Sequence, residues 1–421
     1  MKSPKPLIGW ALYDWANSAF AAAVLTVFFP LFFAEFWSTG VAASTTTFRL
    51  GMANSIASLI VVFAAPLLGA IADQGSARKR FLLLFATLGI SMTAGLFLVE
   101  SGHWTLAVGL YALAVIGFSG SNIFYDSLLI HVSSKKKLHV NSALGFALGY
   151  LGGGLLFAFT VYLTQQHQVF GIADGNTAIR IAFLLVAIWW AVFSIPLFLW
   201  VKEPRVHHPV STFRAITNGM TQLRQTFTQL RRLRTVFIFL CAYFLYIDGL
   251  DTIVRMAVDY GLAIGLASSD LVLAIMITQF VGFPAALVFG RVGERLGPRT
   301  GIYIGLAVYI FITVWAYFIK EAAEFYVLAV LIGLVQGGVQ ALSRSLYSTL
   351  IPADKAAEFF GFYNMLGKFA AVLGPLLVGG VSLLTGNPRY SILSILLLFG
   401  GGALLLAYVN VTQGQEDAKR L

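Results

Sequence analysis

Gly69-Ala-Ile-Ala-Asp73-Gln74-Gly-Ser-Ala-Arg78-Lys79-Arg80 and, in the other half of the chain, Gly290-Arg-Val-Gly-Glu294-Arg295-Leu-Gly297-Pro-Arg299 are two versions of one pattern. Each has a glycine, an acid four residues later and then a basic cluster, and each closes a long apolar segment. Recurrence at matching places in two halves marks a duplicated membrane domain, the plan on which many secondary transporters are built. The glycine allows close helix approach, the acid ends an even-numbered helix, and the basic side chains can bond carbonyl oxygens or pair with the acid. Such a cluster can latch helix ends together and break when the two halves rock. Retention of a loop on one side of a membrane would explain Arg78, Lys79 and Arg299, but not Gly69, Asp73, Gly290 and Glu294. The second copy is the cleaner, because Gln74 replaces a basic residue in the first. Glu294 and Arg295 are therefore expected to matter more to function than Asp73 and Gln74.

The composition agrees with a bilayer as solvent. Of 421 residues 58% are hydrophobic and 11% charged, against about a quarter charged in soluble domains. The net charge of +10 does not point to nucleic acid, because the basic residues lie in short loops between apolar runs rather than on one solvated face. A lone cysteine, Cys241, sits in an apolar run, which excludes an intramolecular disulfide and a zinc cluster. His103, His131, His139, His167, His207 and His208 fall in loops or at loop edges with no paired ligand spacing, and are expected at the surface rather than on a metal. Gly361 to Lys368 superficially resembles a phosphate loop, but the glycine spacing is one residue too long and Phe369 stands where Ser or Thr belongs. No cofactor is expected, and no nucleophile–base pair suggests an enzyme. The N-terminus leads straight into an apolar run too long for a signal-peptide core, so the first helix is expected to stay in place.

Windows of about 20 apolar residues, enough to cross a bilayer core, occur near 8–36, 50–72, 81–99, 104–130, 142–163 and 179–201, and again near 235–262, 268–290, 301–319, 324–350, 361–384 and 390–410. The fold class expected is therefore an all-α integral membrane protein of twelve helices in two pseudo-symmetric six-helix bundles. Its parts would be an N-terminal bundle over 1–201, a basic amphipathic linker over 202–234 lying on the cytoplasmic leaflet, and a C-terminal bundle over 235–421 with a short tail. Lys and Arg divide unevenly between the two sides, 22 against four, with Arg255 and Lys368 inside helices. That bias places both termini in the cytoplasm.

Charges within helices are costly unless paired or facing water. Asp248, Asp251 and Arg255 on the seventh helix are spaced i, i+3 and i+7, on one face. Asp248 and Asp251 fall near mid-span and are candidates for cargo contact or proton transfer, unless Asp251 and Arg255 merely pair to position the helix. Asp14 on the first helix is either a gate residue or a carboxylate suited to a helix start. Asp126 and Arg344 stand at equivalent places in the two halves with opposite charge, so they are expected to meet and close an inner gate. Asn122, Tyr125, Gln336, Gln340 and Gln279, the last just before a kink expected at Gly282-Phe-Pro284, are candidates for hydrogen bonds to a polar cargo.

Several runs resemble one known family. The loop repeats are similar to the signature of the major facilitator superfamily. Trp10-Ala-Leu-Tyr-Asp14-Trp-Ala-Asn17, Gly145-Phe-Ala-Leu-Gly149-Tyr-Leu-Gly-Gly153, Gln336-Gly-Gly-Val-Gln340-Ala-Leu-Ser-Arg344 and Gly361-Phe-Tyr-Asn364-Met-Leu-Gly-Lys368 resemble the branch of the fungal vacuolar amino-acid effluxer of autophagy and its bacterial relatives. The resemblance implies two six-helix bundles, alternating access and export of neutral amino acids. Asp251 and Arg255 depart from the related pattern, which points to a charged cargo or altered ion coupling instead. The expectation is a monomeric secondary transporter of a small polar metabolite in a bacterial inner membrane, with protons as coupling ion. Sugars, nucleosides and peptides are alternative cargoes, and a membrane sensor that binds without transporting is the alternative function.

Overall fold

A computed structural model of the chain describes residues 4–203, 233–263, 267–319, 321–385 and 388–420. Every regular element among them is helical. In a solvent without hydrogen-bond partners a chain must satisfy its backbone internally, and a helix does so within one segment. The helices are α1 (Lys5–Trp37), α2 (Ala43–Gly75), α3 (Arg78–Gly95), α4 (Trp104–Val132), α5 (Leu138–Gln165) and α6 (Gly175–Trp200). The second half repeats the series as α7 (Arg234–Ala263), α8 (Ser268–Leu296), α9 (Pro298–Ala316), α10 (Ala322–Leu350), α11 (Ala356–Thr385) and α12 (Arg389–Ala407). Eleven of them are long and apolar enough to cross a membrane among the described residues, and α11 adds a thirty-residue helix. The expected linker falls on residues that lie, from 204 to 232, outside those described.

Local details differ from a plain helical reading. Between Ala19 and Ser38, α1 carries two π-helical stretches, Phe20–Phe28 and Phe33–Trp37; such wide turns are often found at functional sites. α8 continues as helix through Pro284. The C-terminal segment, expected only as a tail, forms α13 (Val411–Arg420) and packs on α7 and α10, with Gly414 against Thr235 and Leu350. Asp174 caps α6 by accepting from the Thr177 N–H at 2.8 Å, and that bond holds its carboxyl below the usual carboxylate range.

Duplication is visible in the backbone. The turn between α2 and α3 passes through Ser76 at φ 48°, and the equivalent turn between α8 and α9 passes through Gly297 at φ 86°. Both are left-handed, a conformation glycine adopts without the steric cost other residues carry. The halves also touch twice in the same way. Gly69 of α2 lies against the backbone of Ala357 and Glu358 in α11, and Gly361 of α11 against Ala65 and Pro66. By the repeat α8 corresponds to α2 and α5 to α11, and Gly290 of α8 lies against Val140 and Ala143 of α5. One apolar core runs from Leu233 to Val409 within the second half, while the other two belong almost wholly to the first. The space left between the halves holds the candidate site.

Candidate functional site

A cavity of about 490 Å³ opens between the halves, within the range of small-molecule sites. Its floor is polar. It extends from Asp14, Asp126 and Arg344 to Leu271, Ile319, Phe325 and Ile392, at the helix ends remote from the loop repeats. Of the residues expected on sequence grounds, Asn122, Tyr125, Asp251, Gln279, Gln336, Gln340 and Lys368 also line it. Asn17 of α1 donates from Nδ2 to Asn122 Oδ1 of α4 at 2.6 Å, so these two wall residues are fixed to each other.

Asp248 is placed elsewhere. It is 0% exposed, accepts from the Thr252 hydroxyl at 3.4 Å and lies beside Gly374 of α11, where a Cβ would come within 3.0 Å of its Oδ1. It belongs to the α7–α11 packing and not to the cavity wall. Residues three apart on a helix diverge by about 60°, enough here to send Asp248 and Asp251 to different neighbours. The side chain of Arg255 lies outside the described residues.

The floor is a contact between halves. Arg344 of α10, 3% exposed, donates from Nη1 to Asp126 Oδ1 at 3.0 Å, from Nε to Ser142 Oγ at 3.0 Å and from Nη2 to the Ser142 carbonyl at 2.8 Å. Asp14 Oδ2 stands 3.7 Å from the same Nη1 and accepts from the Tyr125 hydroxyl at 3.1 Å. Asp14 thus belongs to the contact between halves, ten residues into its helix and away from the first turn. Asn364 of α11 donates to Asp126 at 3.3 Å, which makes the contact bridge α4, α5, α10 and α11. The rings of Trp10, Tyr125 and Phe146 enclose the guanidinium, Phe146 at 4.3 Å from its carbon. A buried ion pair is tolerated only when further hydrogen bonds meet its remaining donors and acceptors, and Ser142 and Asn364 supply them.

Nearer the loop repeats lies a second contact between halves, and it is the acid of the first copy, not of the second, that is bonded across them. Asp73 is buried, pairs with Arg78 Nε at 2.6 Å and accepts from the backbone N–H groups of Ala357 and Glu358 at 3.2 and 2.9 Å, at the N-terminus of α11. A helix N-terminus presents unsatisfied donors and a positive dipole end, so a carboxylate suits it. Arg78 reaches on to the carbonyls of Ala353 and Asp354 and contacts His131. Lys79 donates to the carbonyls of Phe198 and Val201 at the end of α6, and Glu203 accepts from the backbone N–H of Arg78 and Lys79. In the second copy Glu294 and Arg295 are exposed and no ion pair is formed by either among the described residues, while Arg299 donates to the carbonyls of Ala407 and Val409 within its own half. The cleaner motif is the one whose acid forms no ion pair among the described residues.

Several participants carried little sequence signal. Ser142 and Phe146 are common residue types in a membrane helix, and Glu203 stands just outside one. Trp10 and Asn364 do lie within the runs that resemble a known family. His131 and His139, expected at the surface, are half-buried in contacts, the first with Arg78 and the second with the Ser345 hydroxyl of α10 at 2.8 Å. Among the described residues no group of three or more His, Cys, Asp or Glu is placed to hold a metal.

The family described as "Vacuole effluxer Atg22 like" matches residues 38–141 and 130–419. The chain belongs to that family. It is 38% identical to an MFS-type transporter of Bacillus subtilis, YxiO, over 97% of each chain. It is 25% identical to autophagy-related protein 22 of Saccharomyces cerevisiae over 100% of this chain and 94% of the yeast protein. Among solved structures, the proton:xylose symporter XylE covers 99% of the chain at a TM-score of 0.74 and 13% identity, with 97% of XylE matched. The human organic anion transporter MFSD10 covers 96% at a TM-score of 0.73 and 15% identity, with 100% of that chain matched. These likenesses show the major facilitator fold, and the Atg22-like protein is an integral membrane transporter of that type.

Proposed function

We propose that the protein moves a small polar metabolite, an amino acid in the first instance, across a bacterial plasma membrane by alternating access coupled to protons. The two moving bodies are residues 1–201 and 235–421, the basic segment 202–234 is their tether, and the end bearing the loop repeats and both termini faces the cytoplasm. Efflux is the direction that the family description suggests. The observation that carries this reading is the arrangement of the cavity. It is walled by both halves, reaches the far end, and is floored by the Arg344–Asp126 and Asp73–α11 contacts, which tie one half to the other. A scaffold has no use for ion pairs that span two bodies beneath a cavity, whereas a transporter opens by breaking them. Amide side chains at Asn122, Gln279, Gln336 and Gln340 suit a polar cargo, and Asp251 and Lys368 offer both signs of charge to its ends.

The test is counterflow. Purified protein in vesicles loaded with unlabelled amino acids is expected to take up the labelled ones transiently, and an imposed pH gradient is expected to drive accumulation. Saturable binding of labelled amino acid with no counterflow would instead mark a sensor and overturn the transport reading.

A further inference from the structure

One hydroxyl stands open in the cavity with no protein partner. Tyr150 of α5 lines the cavity, although the residue as a whole is only 9% exposed. Its hydroxyl forms no hydrogen bond among the described residues, and it is not sealed from the cavity as the unpartnered hydroxyl of Tyr309 is. The ring that carries it is held by the other half. A Cβ at Gly337 of α10 would come within 2.5 Å of its Cε2, and one at Gly282 of α8 within 2.8 Å of its Cδ1, so the ring fills a slot that only glycines leave. A polar group so buried is costly to leave unmet. Fixed in advance, it also costs a ligand little ordering on binding.

The charges around Tyr150 select what meets it. Those acting on it are both carboxylates, Asp14 from α1 and Asp251 from α7. Asp14 is engaged by Arg344, 3.7 Å away, while Asp251 stands in the cavity wall. Gln279 of α8 lies one turn farther along α5, against Gly153 and Gly154, and lines the same wall. An ammonium group carries three N–H donors and no acceptor. The Tyr150 hydroxyl oxygen, an Asp251 carboxylate oxygen and the Gln279 amide oxygen supply acceptors for all three, with a negative charge among them. A cargo carboxylate in the same place would face like charges. We propose that Tyr150 is a cargo-binding residue that takes the protonated amine of the cargo, its hydroxyl oxygen accepting an N–H.

This inference rests on the amino-acid reading above, and direct binding is measured beside counterflow so that the two can fail separately. The purified protein is titrated with tritium-labelled amino acids, each alone, and each is competed with its N-acetyl derivative, which lacks the ammonium. The wild type is expected to bind the amino acid and to discriminate strongly against the derivative. Tyr150→Phe keeps the ring in its slot and removes one bond to a charged group. Its dissociation constant is expected to rise about tenfold or more, at an unchanged thermal midpoint, with the discrimination reduced by the same factor. In counterflow the loss should fall on half-saturation and not on the maximal rate. Gly337→Ala keeps the hydroxyl but displaces the ring, and is expected to weaken binding as well. Unchanged affinity and discrimination in Tyr150→Phe would overturn the Tyr150 assignment and leave transport standing. Weaker binding with discrimination intact would put the hydroxyl on another part of the cargo, and the amine assignment would fall. Binding without counterflow in the wild type sinks transport alone, because the dissociation constants still decide the role of Tyr150. If the wild type binds no labelled amino acid, both readings are lost.

Discussion

Arg344 concentrates the cost of the gate on one side chain. Replacing it by Gln leaves Asp14 and Asp126 buried with no cation on the 3.0 Å and 3.7 Å contacts. Breaking a buried pair from one side costs about 3–5 kcal/mol. The expected result is a large fall in the thermal midpoint of the purified protein, with Arg344→Met combined with Asp126→Leu and Asp14→Asn far closer to wild type than Arg344→Met alone. Equal loss in the triple variant would show that the ion pairs are not the source of the effect. The pairing itself was legible because two helices equivalent by the repeat carry opposite charges at corresponding places. What surrounds it was not. Ser142 satisfies two donors of the guanidinium, yet a serine beside a glycine-rich run is unremarkable in sequence. Likewise helical spacing placed Asp248 and Asp251 on one face, but in the assembled helices Asp248 lies beside Gly374 of α11 while Asp251 lines the cavity.

At the scale of elements, the two copies of the loop motif separate buried contact from sequence tidiness. Asp73 is buried on the first turn of α11, and Glu294 is exposed. Loss of a charge-assisted bond costs about 1.5–3 kcal/mol, so Asp73→Asn is expected to shift the latch equilibrium by roughly tenfold to a hundredfold. Glu294→Gln, a surface change, is expected to stay within about 0.5 kcal/mol of wild type. Vesicle counterflow rates for the two variants check the order, and a larger defect in Glu294→Gln would reverse it. The difference was hidden because each motif states what a loop contains and not which helix end faces it; α11 begins beneath the α2–α3 turn, and that meeting comes from the assembly of the halves. Close packing adds a second handle. A Cβ at Gly69 would collide with the backbone of Ala357 and Glu358, atoms that cannot swing aside. Overpacking of this kind costs about 1–3 kcal/mol. Gly69→Ala is expected to favour the unlatched form without preventing insertion, seen as a longer distance between spin labels at Arg80→Cys and Asp354→Cys in a Cys241→Ser background.

For the whole molecule, the proposed alternating access makes the cavity and the two contacts beneath it one of two states, with the other supplied by the duplication. Because α2–α11 and α5–α8 are the same contact made twice, rocking about the cavity can open the latched end while the remote end closes, with each half moving as a body around its own apolar core. That geometry makes a sided prediction. In a Cys241→Ser background, Gln340→Cys lines the cavity just above the floor. A membrane-impermeant maleimide should label it from the side opposite the termini. Adding Asp73→Asn should expose it to the termini side as well, because the latch no longer holds α2 to α11. The two results test different claims. Labelling from the remote side locates the open mouth relative to the loop repeats, and the gain from the other side shows that the Asp73 contact, 2.9 Å from the Glu358 N–H, is what closes the second mouth. Labelling of Gln340→Cys from the termini side alone, with Asp73 intact, would mean that the molecule rests open at the end where the loop repeats lie, and the roles assigned to the two ends would have to be exchanged.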